Sequence, residues 1–358
     1  MIISRRDLVL ASAGMAGLLT SPRWAQAQVS GLPAIRFGNG LKSMSPVIIN
    51  TVIGEGLGYN KAEGFRLEPL ALGSNANVMV ATDKGDCQIG IGVPSVLLPL
   101  YSKKEMPPLV SFYQYTYPYK WDVAVSPDSD IKTYADLKGK KIGVSDLGAT
   151  DYPVTRNVLK SLSIDPDREA QWIAVGAGVQ AGVALQRGAI DALAYFDTGF
   201  GQIEVAGIPL RYLERPKSLP LIGGQTLMAR RDWLDANRTL ATGFARSVAK
   251  ASIYLTANPV AGAKAFLEMY PEVAPRGMAQ ADAIKQVVTA IGRRITLYQP
   301  PYANTKMGAT NPDELKLEAE FVGLKIDDVA PLFTNTLIDD INTFDADAIR
   351  AAARAVKN

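Results

Sequence analysis

From Ala34 onward, short runs of strand character alternate with segments of helical character, which restricts the chain to α/β architectures built mainly on parallel sheets. A strand over 34–38 leads through a loop at Asn39 to Met44 into a helix with Ser45 as N-cap and Pro46 in its first turn. A strand over 65–72, the turn Gly73-Ser74-Asn75 and a helix to about Lys84 make the second unit. A strand over 87–93 with a helix start at Pro94-Ser95 makes the third, and 109–117 reads as a fourth strand.

At "WDVAVSPDSDIKTYADLKGKKIGVSD" the pattern restarts with a strand, a polar turn, a short helix ending at Gly139 and a strand over 141–145. Further units follow to a strand over 210–213. The stretch "GGQTLMARRDWLDAN" then turns back to strand and helix, and the rest is mostly helical, with apolar spacings of three and four in 241–255 and 260–270. A second α/β unit inserted into the first by crossings near 120–125 and 221–226 gives two lobes, a double-crossing hinge and a cleft suited to closing on a small molecule. The expected division is 28–122 with 225–358 for lobe 1 and 123–224 for lobe 2.

Ahead of this lies Ser4-Arg5-Arg6-Asp7-Leu8-Val9, an apolar run to Leu19 and Ala25-Gln26-Ala27, the order of a twin-arginine-type export signal with cleavage after Ala27. The apolar run is too short to span a bilayer. Removing 1–27 takes Arg5, Arg6, Arg23 and Asp7, lowering the net charge of +3 by two, and such near-neutrality argues against a nucleic-acid partner. The single cysteine, Cys87, allows no internal disulfide and reads as a small buried hydrophobe. No histidine occurs among the 358 residues. That removes the usual general base and metal ligand, and with them the Ser-His-Asp and Cys-His nucleophile systems.

Several stretches resemble a known family. "YADLKGKKIGVSDLGATDYPVTRNVLKSLSIDPDREAQWIAVGAGVQAGVALQRGAIDALAYFD" is similar to the second lobe of the NitT/TauT-type (NMT1/THI5-like) substrate-binding proteins of ABC transporters, the sulfonate, nitrate, taurine and thiamine-precursor group. The matching pieces are Asp136 to Lys140, "LSIDPD", and Leu185 to Ala192. In the first lobe "GSNANVMVATDKGDCQIGIGVPS" resembles the family's helix, Gly-Asp turn and strand. The resemblance spans roughly residues 34 to 255. It implies a type II periplasmic-binding-protein fold in a periplasmic monomer that binds a small molecule, needs no cofactor or metal, and delivers its ligand to a membrane permease driven by a cytoplasmic ATPase.

In open α/β sheets ligands sit beyond the carboxyl ends of strands, where helix N-termini offer free amide groups. That rule nominates Lys42, Ser43 and Met44; Ser74 and Asn75; Pro94 and Ser95; Ala149, Thr150 and Asp151; and Gly178 with Val179. Gly176-x-Gly178-x-x-Ala181 followed by Asp197 imitates a dinucleotide fingerprint, but it sits mid-chain in the inserted lobe, and the family resemblance accounts for the same glycines as a tight turn before a cleft-facing helix. Asp197 is either a helix cap or a ligand contact, with Lys42 and Arg156 as possible counter-charges, and the ligand's charge stays open.

The stripe "SFYQYTYPYKWDVAV" places Tyr113, Tyr115 and Tyr117 on one face of the fourth strand if the two-residue alternation holds, with Pro118 ending the pairing at the first crossing. Tyr113 and Trp121 are expected to pack. Tyr115 and Tyr117, with Tyr152 and Phe196 opposite, are candidates for stacking on a planar aromatic or heteroaromatic ligand, a small organic anion being the other expectation. An exported enzyme on the same fold, desulfinase-like or pyrimidine-synthase-like, is the alternative. It is disfavoured because such enzymes pair their cysteine or motif with a histidine.

Overall fold

The computed structural model of the chain describes residues 31–118, 120–147, 149–217, 219–220 and 222–357. The expected export signal, with its cleavage point after Ala27, lies outside them. Ten strands run β1 Ala34–Asn39, β2 Arg66–Ala71, β3 Ile89–Gly92, β4 Leu109–Thr116, β5 Trp121–Val125, β6 Lys141–Val144, β7 Gln171–Ala174, β8 Ala192–Phe196, β9 Arg211–Tyr212 and β10 Gln225–Arg230 among these residues. They form two mixed sheets, ordered β2-β1-β3-β10-β4 and β7-β6-β8-β5-β9, each the floor of one lobe. In each, four strands run the same way and only the crossing strand runs antiparallel: β10 against β3 and β4, and β5 against β8 and β9. The sheets are thus mainly parallel, as the alternation suggested, with the crossing strand of each as the exception.

Helices α1 Ile49–Val52, α2 Tyr59–Ala62, α3 Asn75–Lys84 and α4 Pro94–Ser102 connect the strands of the first sheet. α5 Asp151–Ser161, α6 Val179–Gln186 and α7 Asp197–Val205 follow strands of the second. After β10 come α8 Arg231–Ala236, α9 Arg238–Ala257, α10 Pro259–Met269, α11 Gln280–Ile295, α12 Pro312–Phe321, α13 Ile338–Ile341 and α14 Ala346–Ala355. The core of lobe 1 is centred on α9, whose Phe244 meets Phe37 and Phe65 edge-on at 5.3 and 5.9 Å between ring centroids. Each such buried ring contributes about 1.5–3 kcal/mol of transfer free energy. Lobe 2 has separate clusters on its two sheet faces, around Leu137, Ile142 and Val158, and around Leu193, Phe200 and Ile203.

Two C-terminal helices join the lobes. α11 lies against α7, so close that a Cβ on Gly201 would run into the backbone of Ala290. α12 covers the crossings: Glu318 accepts a hydrogen bond from Gly223 N–H at 2.9 Å, and Phe321 packs on the cluster of Trp121, Val154 and Ile222.

The tyrosine stripe departs from strict alternation. The pairing of β10 with β4 shifts register between Leu227 and Met228 and again between Gln225 and Thr226. Such bulges let two neighbours face the same side. Phe112 and Tyr113 both join the core, while Ser111 bonds Thr226 at 2.7 Å. Tyr113 lies against Gly308, and Tyr117 falls just past the end of β4.

Candidate functional site

The strand ends and helix starts of the two lobes face each other, and three places along this junction differ in character. The first is the hinge side. Arg294, on the core-facing edge of α11, is 2% exposed and bonds Asp197 at both ends of its fork, Nε to Oδ2 at 2.5 Å and Nη2 to Oδ1 at 2.7 Å. Its Nη1 donates to Gln225 Oε1 at 3.2 Å and to the Val47 carbonyl at 3.4 Å. Burial works against the arginine's charge, but attraction and hydrogen bonding from Asp197 outweigh it and hold the guanidinium above its ordinary range. Beside it, Arg293 and Arg215 both reach the buried Asp122, at 2.5 and 3.2 Å.

Around Arg294 and Asp197 lie polar atoms without a hydrogen-bond partner among the described residues: the hydroxyls of Tyr115, Tyr298 and Thr198. Burial raises both tyrosine hydroxyls well beyond their ordinary range. Lys120, at the start of the first crossing, has its amine 4.9 Å from the Trp121 ring centroid. Burial pulls that amine down to about 7, with Arg294 adding to the effect and Asp197 and Glu318 opposing it. Glu318 is pushed by burial up to about 7, against the pull of Gly223 N–H and Lys120.

The second place is a direct touch between the lobes. Ser95 Oγ, in the first turn of α4, lies 3.2 Å from Thr150 Oγ1, just ahead of α5. Both were nominated from the sequence. Pro94 lines a cavity of about 30 Å³ behind this contact, together with Gln114, Gly224 and Glu318.

The third place is a cavity of about 480 Å³ that both lobes line. Lobe 1 supplies Ser43, Met44, Ser45 and Pro46 after β1, with parts of α10 and α11. Lobe 2 supplies Val179 at the start of α6, with Gln202 and Val205 of α7. Gly178, at φ 70°, lets the chain turn into α6, and its N–H donates to Tyr195 Oη at 2.6 Å. The size is that of small-molecule sites, which span roughly 300–1,000 Å³.

The remaining nominated residues are placed as follows. Lys42 is exposed and Ala149 half-buried on their loops. Ser74 caps α3 by accepting from Asn77 N–H at 3.1 Å, and Asn75 lies against Gly40. Asp151 is a local structural group, accepting from Ser145 N–H at 2.7 Å and Ser145 Oγ at 2.9 Å. Tyr152 packs edge-on against Trp172, and Phe196 lies tilted on Tyr195 at 4.5 Å between ring centroids.

Three expectations are corrected. Tyr115 is 2% exposed and its ring belongs to the lobe-1 core, so it offers a hydroxyl rather than a stacking face. Tyr117 is buried, with its hydroxyl accepting from Gly308 N–H at 2.7 Å. Asp197 is the first residue of α7 rather than its N-cap, and its counter-charge is Arg294 rather than Lys42 or Arg156; Arg156 pairs with Asp167 at 2.6 Å.

Arg294 was missed by the sequence reading. Its signal was present, since it continues the core-facing series Ala283, Val287, Ala290 and Ile291 of α11. A charge in that register needs a buried partner. Cys87 is fully buried, bonded to Thr82 Oγ1 at 3.3 Å, as its sequence context implied.

Two α/β sheets, two crossings and helix starts that meet across the junction define a two-lobed binding-protein fold. The chain belongs to the family described as NMT1/THI5 like, whose model matches residues 45–262. No curated protein matches the sequence. Among solved structures, a Bordetella bronchiseptica protein is 24% identical with a TM-score of 0.61, over 86% of this chain and 96% of that one. The periplasmic nitrate-binding protein NrtA of Synechocystis PCC 6803 is 12% identical, TM-score 0.62, over 92% and 99%. The alkanesulfonate-binding protein SsuA of Xanthomonas axonopodis pv. citri, bound to MOPS, is 16% identical, TM-score 0.59, over 85% and 98%. The fold is that of the type II periplasmic binding proteins.

Proposed function

We propose that the chain is an exported solute-binding protein that captures a small organic molecule between its lobes and delivers it to an ABC importer, a membrane permease with a cytoplasmic ATPase. In this reading it works as a periplasmic monomer released by cleavage after Ala27, with lobes divided at 28–122 plus 225–358 and 123–224. The observation that carries the proposal is the interlobe cavity of about 480 Å³, walled by the loop after β1 on one side and the start of α6 on the other. A ligand held there touches both lobes, so its binding free energy favours the closed arrangement. Support also comes from the nitrate-binding and alkanesulfonate-binding proteins that share the fold.

The test is equilibrium dialysis of the full chain against a mixture of small metabolites, followed by mass spectrometry of what is retained. One compound retained at one equivalent, with its mass unchanged, is the expected result. Chemical conversion of the retained compound, or retention of nothing, contradicts it.

A further inference from the structure

The interlobe cavity is poor in positive charge. Its polar lining consists of Ser43, Ser45, Gln202, Gln286 and Glu272; the rest is aliphatic side chain and proline, and no lysine or arginine lines it among the described residues. The arginines of the junction are held elsewhere: Arg294 by Asp197, and Arg293 and Arg215 at Asp122. Lys120 is in the hinge, in the field of Asp197 and Glu318. Lys42 is the chain neighbour of Ser43 but is exposed and does not line the cavity.

We infer, resting on the binding-protein reading above, that the ligand of this cavity is an uncharged, partly apolar molecule carrying an amide-like or carbonyl group, and not an oxyanion. An ionised sulfonate or carboxylate taken from water into this space would lose hydration with no counter-ion in return. The start of α6 points a partial positive charge of about one-half at the site, and because the Gly178 N–H there is already given to Tyr195, it suits orienting a carbonyl dipole better than enclosing an anion. The amides of Gln202 and Gln286 can both donate and accept, which suits a ligand with both functions. Glu272 is exposed, where solvent screens it, so it weighs against an anion without holding a cation. The aliphatic walls from α10 and α11 match the apolar part.

The experiment is calorimetric titration of the full chain with benzamide, benzylamine, benzoate, benzenesulfonate and nitrate, in the wild type and in Val179→Trp and Gln202→Leu. Val179 is 43% exposed, so a larger side chain there fills the cavity mouth without entering a core. The expected result is benzamide binding about tenfold or more tighter than every charged probe, weakened about tenfold or more by each substitution. Tighter binding of benzoate, benzenesulfonate, nitrate or benzylamine overturns the ligand class while leaving the binding-protein reading standing. Benzamide binding unchanged in both variants overturns the assignment of the cavity. If no probe binds and the dialysis retains nothing, the binding-protein reading fails and this inference fails with it.

Discussion

At the hinge side of the junction the lobes are fastened by a buried, bidentate Arg294–Asp197 pair and a helix contact with no room for a methyl group at Gly201. At the Ser95–Thr150 edge they meet through one pair of hydroxyls at 3.2 Å. The difference assigns the two places different mechanical roles. A buried charge pair is costly to open because each partner is left unpaired in a medium that solvates it poorly, whereas a lone hydroxyl contact exchanges readily for water. The contact of α7 with α11 is therefore the harder of the two to separate, and in the proposed closing motion it would serve as the pivot and the Ser95–Thr150 edge as the part that opens.

The largest expected effect is at the pivot. Arg294→Met leaves Asp197 buried and unpaired, and should lower unfolding free energy in urea by about 3–5 kcal/mol. Combining it with Asp197→Leu should recover much of that loss, a non-additivity expected only of direct partners. If the double variant is as unstable as the two losses summed, the pair is not what joins the lobes. Next comes Gly201→Val, whose side chain must push α7 off Ala290. A loss of about 1–3 kcal/mol, with an increased radius of gyration in small-angle scattering, is the predicted outcome.

A pH-dependent effect concerns the crossings beneath α12. Burial brings the Lys120 amine down to about 7 and the Glu318 carboxyl up to about 7. For a carboxyl raised from its ordinary 4.5, the folded chain keeps a proton that the unfolded chain has released, so stability falls as pH rises from 4.5 to about 7. For an amine lowered from 10.5, the unfolded chain holds the extra proton, so stability rises from about 7 to 10.5. Together they place a stability minimum near pH 7. Glu318→Gln should flatten the falling limb and Lys120→Met the rising one in urea titrations across pH. A maximum near pH 7 from this pair would refute the assignment. The smallest effect belongs to Ser95→Ala, which should change stability by less than about 1 kcal/mol.

The two regions were also unequally legible in the sequence. The alternation of strands and helices gave away the two-lobe α/β plan, and strand-end reasoning found Ser43, Met44, Ser95, Thr150 and Val179 at the junction, because these positions follow from local chain order. The pivot was hidden. Arg294 is separated from Asp197 by 97 positions, and only the packing of α11 on α7 brings them together. Tyr115 was misjudged for a related reason: it shares a face with Tyr113, as the two-residue period implied, but only the tertiary packing makes that face part of the lobe-1 core. The cavity wall from α10 and α11 could not be placed either, since helical periodicity identifies an apolar face without naming its neighbour.

The pivot account is tested most directly by two distance distributions measured by pulsed electron resonance on the full chain in a Cys87→Ala background. One spin-label pair, Val80→Cys with Leu147→Cys, spans the opening edge from positions that are 46% and 51% exposed. The other, Ala206→Cys with Lys285→Cys, spans α7 and α11. The account predicts a broad or two-peaked distribution for the first pair and a single narrow one for the second. Equal breadth in both, or a second pair broader than the first, would contradict it.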